Sequence, residues 1–515
     1  MGTMRAAVLL AAISTMGCDG TLRGGSIEPT TRYEYSADSD GNTSVIPATD
    51  GLIGTFPLVI ASASSTIDVA AAASTTPGID GVKLSYVRPT IYWQDVEPAA
   101  PVGGVHTFHW GDKSITRIDQ YLARGINVFP VIKSGAGWAT TASTTCTIPS
   151  TSASSTPDER TSCPPKDRAQ YRKFLEALAG HFQEQNDLKS TDSSRGTVTL
   201  VAIEIEEHDP TFWGGTKLEY MDMLRDARAV FVPDPRRIQV TDGGVQNSAI
   251  FWLVVDDFLD TNRAPDALKL YQDYKGGKKP SCDSRCPTCE GTDEGALRCE
   301  LRDARNVTSI AQAFDWVNDL LDKVDVMNFH NFGSETLLPA AADYLRRKQP
   351  GKAIVMNAVG VAHDTSLGDN DTAPHFMVRQ LTVALSLNLD RIIWYSPPNG
   401  DNTNPAALIW KGGALATDNL KAFTTLTRFL NKPPVAPRFS VPPGDGIKRY
   451  SFVFHSHTTD VVWSIKSTPY TVPSGCETFD AAGDPIAAGA PLTLEHRNPY
   501  YVRCPRCGAA GLPAC

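Results

Sequence analysis

Between residues 51 and 437 the chain alternates short apolar, strand-like runs with stretches of helical periodicity, and this constrains its fold more than any other feature. The runs are Ile53 to Ile60, Val82 to Tyr92, Ile126 to Ile132, Thr199 to Ile205, Ile238 to Asp242, Val324 to Phe329, Ala353 to Val359 and Arg391 to Tyr395. Several intervening helices are plain in the pattern. Tyr171, Phe174, Leu175, Leu178 and Phe182 fall on one helical face, and Thr216-x-x-Glu219 is a capping box that opens the next helix. Strands joined by helical crossovers run parallel, and eight of them close a barrel, so the pattern predicts an α/β fold, a (β/α)8 TIM barrel. A doubly wound sheet would show the same alternation, but no Gly-x-Gly-x-x-Gly follows the first run to hold a phosphate. The region from about Phe251 to Asn306, with four cysteines, reads as an insertion between strands five and six.

From residue 438 to 515 the texture changes to short alternating strands without helical period: Tyr450 to His455, Asp460 to Ile465, Leu492 to His496 and Tyr500 to Arg503. This predicts a small C-terminal β-sandwich domain. At 515 residues the chain exceeds what one core usually organises, in keeping with a large domain and a smaller one. The formal charge of -9 is spread without basic blocks, which excludes the electrostatic footprint of a nucleic-acid binder.

Residues 1–18 have the form of an export signal: Arg5 supplies a positive start, Ala6 to Ile13 a short apolar core, and Gly17 a small residue before Cys18. Gly-Cys also ends a bacterial lipoprotein box, so Cys18 is either a lipid attachment point or an incidental cysteine after a plain signal peptide. Residues 19–50, rich in Ser, Thr, Gly and Asp, read as a disordered tether. The expected location is outside the cytoplasm, in a bacterial cell envelope or the medium, with the membrane touched only through a lipid on Cys18. Ten further cysteines fall into groups of two (Cys146, Cys163), four (Cys282, Cys286, Cys289, Cys299) and four (Cys476, Cys504, Cys507, Cys515). Even groups in an exported chain point to disulfides within each group, with Cys146 bonded to Cys163. Zinc is the alternative for both groups of four, but neither contains His. No metal or cofactor is expected.

A series of short motifs carries a resemblance. In order they are Val87-Arg88-Pro89, Trp93-x-x-Val96-Glu97-Pro98, Gly137-Trp138-Ala139, Glu204-Ile205-Glu206-Glu207 followed by Phe212-Trp213, Val324-Asp325-Val326 with Phe329-His330, Ile354 to Gly360, and Ile393-Trp394-Tyr395. The chain resembles the clan A retaining glycoside hydrolases. Within them it is most similar to the family of β-xylosidases and α-iduronidases and to related families with a C-terminal β-sandwich. The resemblance runs from about Gly51 to Arg503, with Tyr500-Tyr501-Val502 similar to the closing strand of the sandwich. It implies a glycan or glycoside as partner.

Retaining hydrolysis needs one carboxylate to attack the anomeric carbon and one to protonate the leaving oxygen. The resemblance implies a nucleophile on strand seven, where the family reads Thr-Glu-x-Gly and this chain reads Asn357-Ala358-Val359-Gly360, so that Ala358 occupies the nucleophile position. It implies an acid/base glutamate at the end of strand four. Glu207 is the first candidate and Glu206 the second, while a gapless reading puts His208 in that slot. Arg88 either steadies the nucleophile position or forms a structural ion pair with Glu204 or Glu206. Trp93, Trp138 and Trp394 offer rings to a sugar face or belong to the core, and His330 resembles a substrate contact or is a structural donor. Asp242 and Asp364 are stand-ins for the lost nucleophile or solvated loop carboxylates. Three functions follow: a barrel that binds a glycan with lost or altered catalysis, an active O-glycosyl hydrolase with a displaced nucleophile or inverting mechanism, and a structural envelope lipoprotein.

Overall fold

The computed structural model describes residues 85–111, 113–141, 162–281, 292–361, 372–395, 408, 417–430, 446–454, 456–487, 491–495 and 497–505, together with the backbone of short strands at 53–55, 59–61, 66–68 and 439–441. Expectations for Cys18, Cys146, Asp364 and the tether fall outside these residues.

Parallel strands form where the apolar runs stand. They are Ile53–Thr55, then Tyr86–Val87 with Thr90–Tyr92, Asn127–Val128 with Val131–Lys133, Leu200–Ile203, Gln239–Thr241, Met327–Asn331, Ile354–Val359 and Arg391–Trp394, numbered one to eight below. Strand one lies between strands eight and two. Two pairs with three, three with four, and four with five. Five reaches six through the Val245–Phe329 bridge and the Asp325 N–H on the Val240 carbonyl. Six pairs with seven and seven with eight, which returns the pairing to strand one.

Side chains divide by strand face. Tyr86, Phe129, Val131, Leu200, Ala202, Val326, Val355 and Ile393 pack with one another in a single inner cluster. Their strand neighbours, among them Val87, Ile132, Val201, Val240, Met327, Met356 and Ile392, join the helices instead. A sheet enclosed on both faces loses water from both, which is why its strands read as unbroken apolar runs. The helix Arg168–Asp187 buries Tyr171, Phe174, Leu175, Leu178 and Phe182, and the Asp167 carboxylate accepts the Ala169 N–H at its start. Thr216 and Glu219 form the full capping box of Lys217–Phe231. Between strands five and six stand four helices, Asn247–Asp260, Ala264–Tyr274, Asp293–Ala304 and Thr308–Leu321. The first is apolar almost all round and buried from Ala249 to Val255, so it belongs to the main core.

The C-terminal part is an antiparallel sheet ordered Phe439–Val441, Ile447–Val453, His457–Ser464, Tyr500–Pro505, Glu477–Phe479 and Pro485–Ile486, with a two-stranded ribbon of Thr468–Tyr470 and Leu492–Leu494. Its alternation is regular: Val461, Trp463 and Tyr501 enter the main core, whereas Val462 and Val502 pack against Leu492 and Leu494 of the ribbon. Cys476 and Cys504 are disulfide-bonded, so the C-terminal four do not share one zinc. Cys163 and Cys299 are disulfide-bonded as well, to partners outside the described residues.

Candidate functional site

Strand four ends in an irregular turn that aims its acidic side chains. Glu204 has φ 63° and Glu206 φ 40°, left-handed values that cost a residue with a side chain on the order of 1–3 kcal/mol. The pleat is therefore broken twice within three residues, and the three glutamates go to different partners. Glu204 accepts the Ser134 N–H at 2.6 Å. Burial raises its pKa, an effect opposed by the nearby Lys133 ammonium. Glu207 accepts the Gly243 N–H at 3.0 Å, beside the Tyr220 hydroxyl that takes the same N–H at 3.1 Å. Glu206 alone reaches strand six, where its Oε1 lies 2.7 Å from His330 Nδ1.

His330 is the centre of the site. Its other ring nitrogen, Nε2, meets the Oδ1 of Asn357 on strand seven. Asn357 is fully buried, its backbone N–H donates to Asn328 Oδ1 at 3.2 Å, and its Nδ2 has no hydrogen-bond partner. Asn328 in turn donates to the Asp242 carbonyl at 3.1 Å. Strand seven carries a register shift between Met356 and Val359 against strand eight, and another against strand six before Ala358. The side chain that strand seven brings to His330 is thus Asn357, one residue before the expected position. Ala358 is buried and paired in register with His330.

Two glycines permit this packing. A Cβ on Gly243 would stand 2.6 Å from Glu207 Oε2 and 2.8 Å from the Glu206 nitrogen. One on Gly244, at φ +94°, would stand 2.5 Å from His330 Nε2. Only glycine tolerates both the close approach and the left-handed backbone at Gly244.

Glu207 and Asp242 are both buried, and each keeps one carboxyl oxygen without a partner. Burial first, and then the charge of Asp242, hold the Glu207 pKa well above the usual carboxylate range. Burial likewise lifts Asp242 to about 7. His208 is buried with Nε2 on the Gln246 N–H, and burial lowers its pKa to about 4.

The three tryptophans the sequence singles out have different surroundings. Trp93 has no exposed surface: its ring stacks on Phe174, meets Trp138 edge-on, and donates from Nε1 to Glu97 Oε2 at 2.9 Å. It presents no face to a ligand and is a wall residue. Trp394 is enclosed in the core shared with the helices, because alternation on strand eight turns Ile393 inward and Trp394 outward. Trp138 is half-buried, with Nε1 on the Glu97 carbonyl at 2.9 Å. Tyr395 and Phe332 are the half-buried rings beside the site, perpendicular to each other with centroids 5.5 Å apart, and Phe332 is 6.2 Å from the His330 ring. Phe332 stands two residues past His330 and Tyr395 closes the Ile393-Trp394-Tyr395 motif, where strand parity alone would have pointed to it. Arg88 is buried between the two segments of strand two. Among the described residues no three His, Cys, Asp or Glu side chains converge as a metal site.

No protein-family model and no curated protein matches the sequence. The fold is similar to that of solved glycoside hydrolases. A family 39 glycoside hydrolase from the gut symbiont Bacteroides cellulosilyticus matches with a TM-score of 0.50 and 13% identity, over 87% of this chain and 80% of its own. A glucosidase from Croceicoccus marinus matches with a TM-score of 0.52 and 13% identity, over 89% of this chain and 96% of its own. At that identity the likeness is one of fold, and the chain has a glycoside-hydrolase-like architecture.

Proposed function

We propose that this chain is an exported carbohydrate-binding protein on a glycoside hydrolase-like (β/α)8 barrel, in which the strand-seven nucleophile position holds the amide of Asn357 and double-displacement hydrolysis is lost. One observation carries the reading: His330 joins a single carboxylate, Glu206, to an amide rather than to a second carboxylate. An amide neither attacks an anomeric carbon as a carboxylate does nor balances an oxocarbenium charge. Glu206 is the residue this reading places as acid, since Glu207 is turned to the Gly243 backbone. The Cys476–Cys504 disulfide supports an oxidising compartment.

The test uses p-nitrophenyl β-xyloside and β-glucoside, whose good leaving group removes the need for acid assistance. Native protein is expected to release no nitrophenol above background, and Asn357→Glu to introduce release, with Ala358→Glu, one residue on, giving less. Native turnover at ordinary enzymatic rates, about 1 to 10³ per second, would overturn the proposal and favour an active enzyme with another carboxylate.

A further inference from the structure

Resting on that reading of the site, we infer that Phe332 and Tyr395 form the aromatic corner that stacks on a pyranose ring, and that Arg379 and Glu335 hold this corner in place from the C-terminal sheet. The two rings meet at 85° and are half-buried rather than closed off by the core, and Phe332 lies 6.2 Å from the His330 ring. Gly360 makes the corner possible, since a Cβ there would touch the Tyr395 Cβ at 3.2 Å and the Phe332 ring at 3.4 Å. A flat apolar ring matches the C–H face of a pyranose, and Glu206 and Asn357 supply polar groups nearby.

Phe332 lies in the turn after strand six, and the helix Ala373–Ser386 holds that turn from beneath. Gln380 Oε1 accepts from Asn331 Nδ2 at 2.9 Å, and Gln380 Nε2 donates to the Gly333 carbonyl. Arg379, fully buried, donates from Nε to Glu335 Oε1 at 3.0 Å and from Nη1 to the carbonyl of Arg497 at 2.6 Å. Arg497 has φ 60° and sits in the turn before strand Tyr500–Pro505 of the C-terminal sheet. A buried guanidinium requires its partners, so the carbonyl from the C-terminal sheet and the carboxylate from the Phe332 turn are fixed relative to each other. Arg379 and Glu335 are positioning residues, Arg379 reaching the Phe332 turn through Glu335 and the C-terminal sheet through the Arg497 carbonyl.

The experiment measures calorimetric affinity for xylohexaose and cellohexaose in four proteins: native, Phe332→Ala, Glu335→Gln and the double variant. Glu335→Gln keeps the side chain's shape and removes only its charge. The buried Arg379 guanidinium loses its counter-charge, so the unfolding midpoint drops, and affinity is measured well below that midpoint, where an unchanged circular dichroism spectrum verifies the fold. Native protein is expected to bind at least one probe, Phe332→Ala to bind it about tenfold more weakly, and Glu335→Gln several-fold more weakly. The double variant should be no weaker than Phe332→Ala alone, because a strut has nothing to hold once the ring is gone. A purely structural effect would instead multiply through both backgrounds, and that result would overturn the positioning role. Undiminished binding by Phe332→Ala would overturn the aromatic corner while leaving the carbohydrate reading intact. If native protein binds neither probe, the carbohydrate reading fails and the inference falls with it.

Discussion

At the residue scale the carboxylates of strands four and five set the electrostatics. Glu207 and Asp242 both hold their protons to higher pH in the folded protein than an exposed carboxylate would, because burial disfavours the charged form. Unfolded, they titrate near the ordinary carboxylate value of about 4, and folded, Asp242 titrates at about 7. Between those values the native state binds more protons than the unfolded chain, so their contribution to stability is complete below about pH 4 and is lost as pH rises through 7. Glu207→Gln removes one of the two titrations and still accepts the Gly243 N–H. Urea unfolding measured from pH 4 to 8 should therefore fall less steeply with pH in the variant than in native protein, and parallel curves would sink the assignment. The sequence places these residues at strand ends but leaves the choice among Glu206, Glu207 and His208 open. Counting along a strand assumes an unbroken pleat, and the left-handed residues Glu204 and Glu206 break it. The shift of one residue on strand seven, from Ala358 to Asn357, has the same origin in a local register change.

At the scale of elements, the strands were legible because enclosed parallel strands cannot hide their apolar runs, and the helix Arg168–Asp187 because its buried face repeats at helical spacing. The capping box at Thr216 was legible because it is a local contact between residues three apart. Less visible was how strand five packs on six, which depends on a glycine pair that composition does not distinguish from any loop. Gly244 is the wedge point: its φ of +94°, and His330 Nε2 only 2.5 Å from where a Cβ would stand, leave no room for a methyl group. Gly244→Ala should cost about 1–3 kcal/mol, from left-handed strain and displacement of His330. Its urea midpoint should drop accordingly, while Gly276→Ala, also at positive φ but with nothing within 4 Å, should lose only the strain component. Equal losses in the two variants would show that His330 yields freely.

At the scale of the whole molecule, the strand-and-helix body and the C-terminal sheet share one core, although their sequence textures differ sharply at residue 438. Phe429, on the last helix of the body, lies 5.2 Å from the Phe479 ring and 5.1 Å from the Tyr501 ring. Thr425 donates to the Ala482 carbonyl at 2.7 Å, and a Cβ on Gly483 would stand 2.4 Å from the Thr425 hydroxyl oxygen. Tyr450, Phe452, Val461, Trp463 and Tyr501 bury in the same cluster as Leu420, Phe423 and Leu426. An interface built this way is apolar and closely packed, unlike the polar contacts across which domains move independently. The two parts should therefore unfold together, in one calorimetric transition, despite the chain's length. The Cys476–Cys504 disulfide offers the decisive variation, because it links residues 28 apart within the C-terminal part, from the turn before Glu477–Phe479 to the strand Tyr500–Pro505. Replacing both cysteines by alanine should remove about 2–4 kcal/mol from that sheet. If the core is shared, the single transition moves to lower temperature as a whole. If the sheet is only an appended domain, a minor transition shifts, the main one stays where it was, and the common core is refuted.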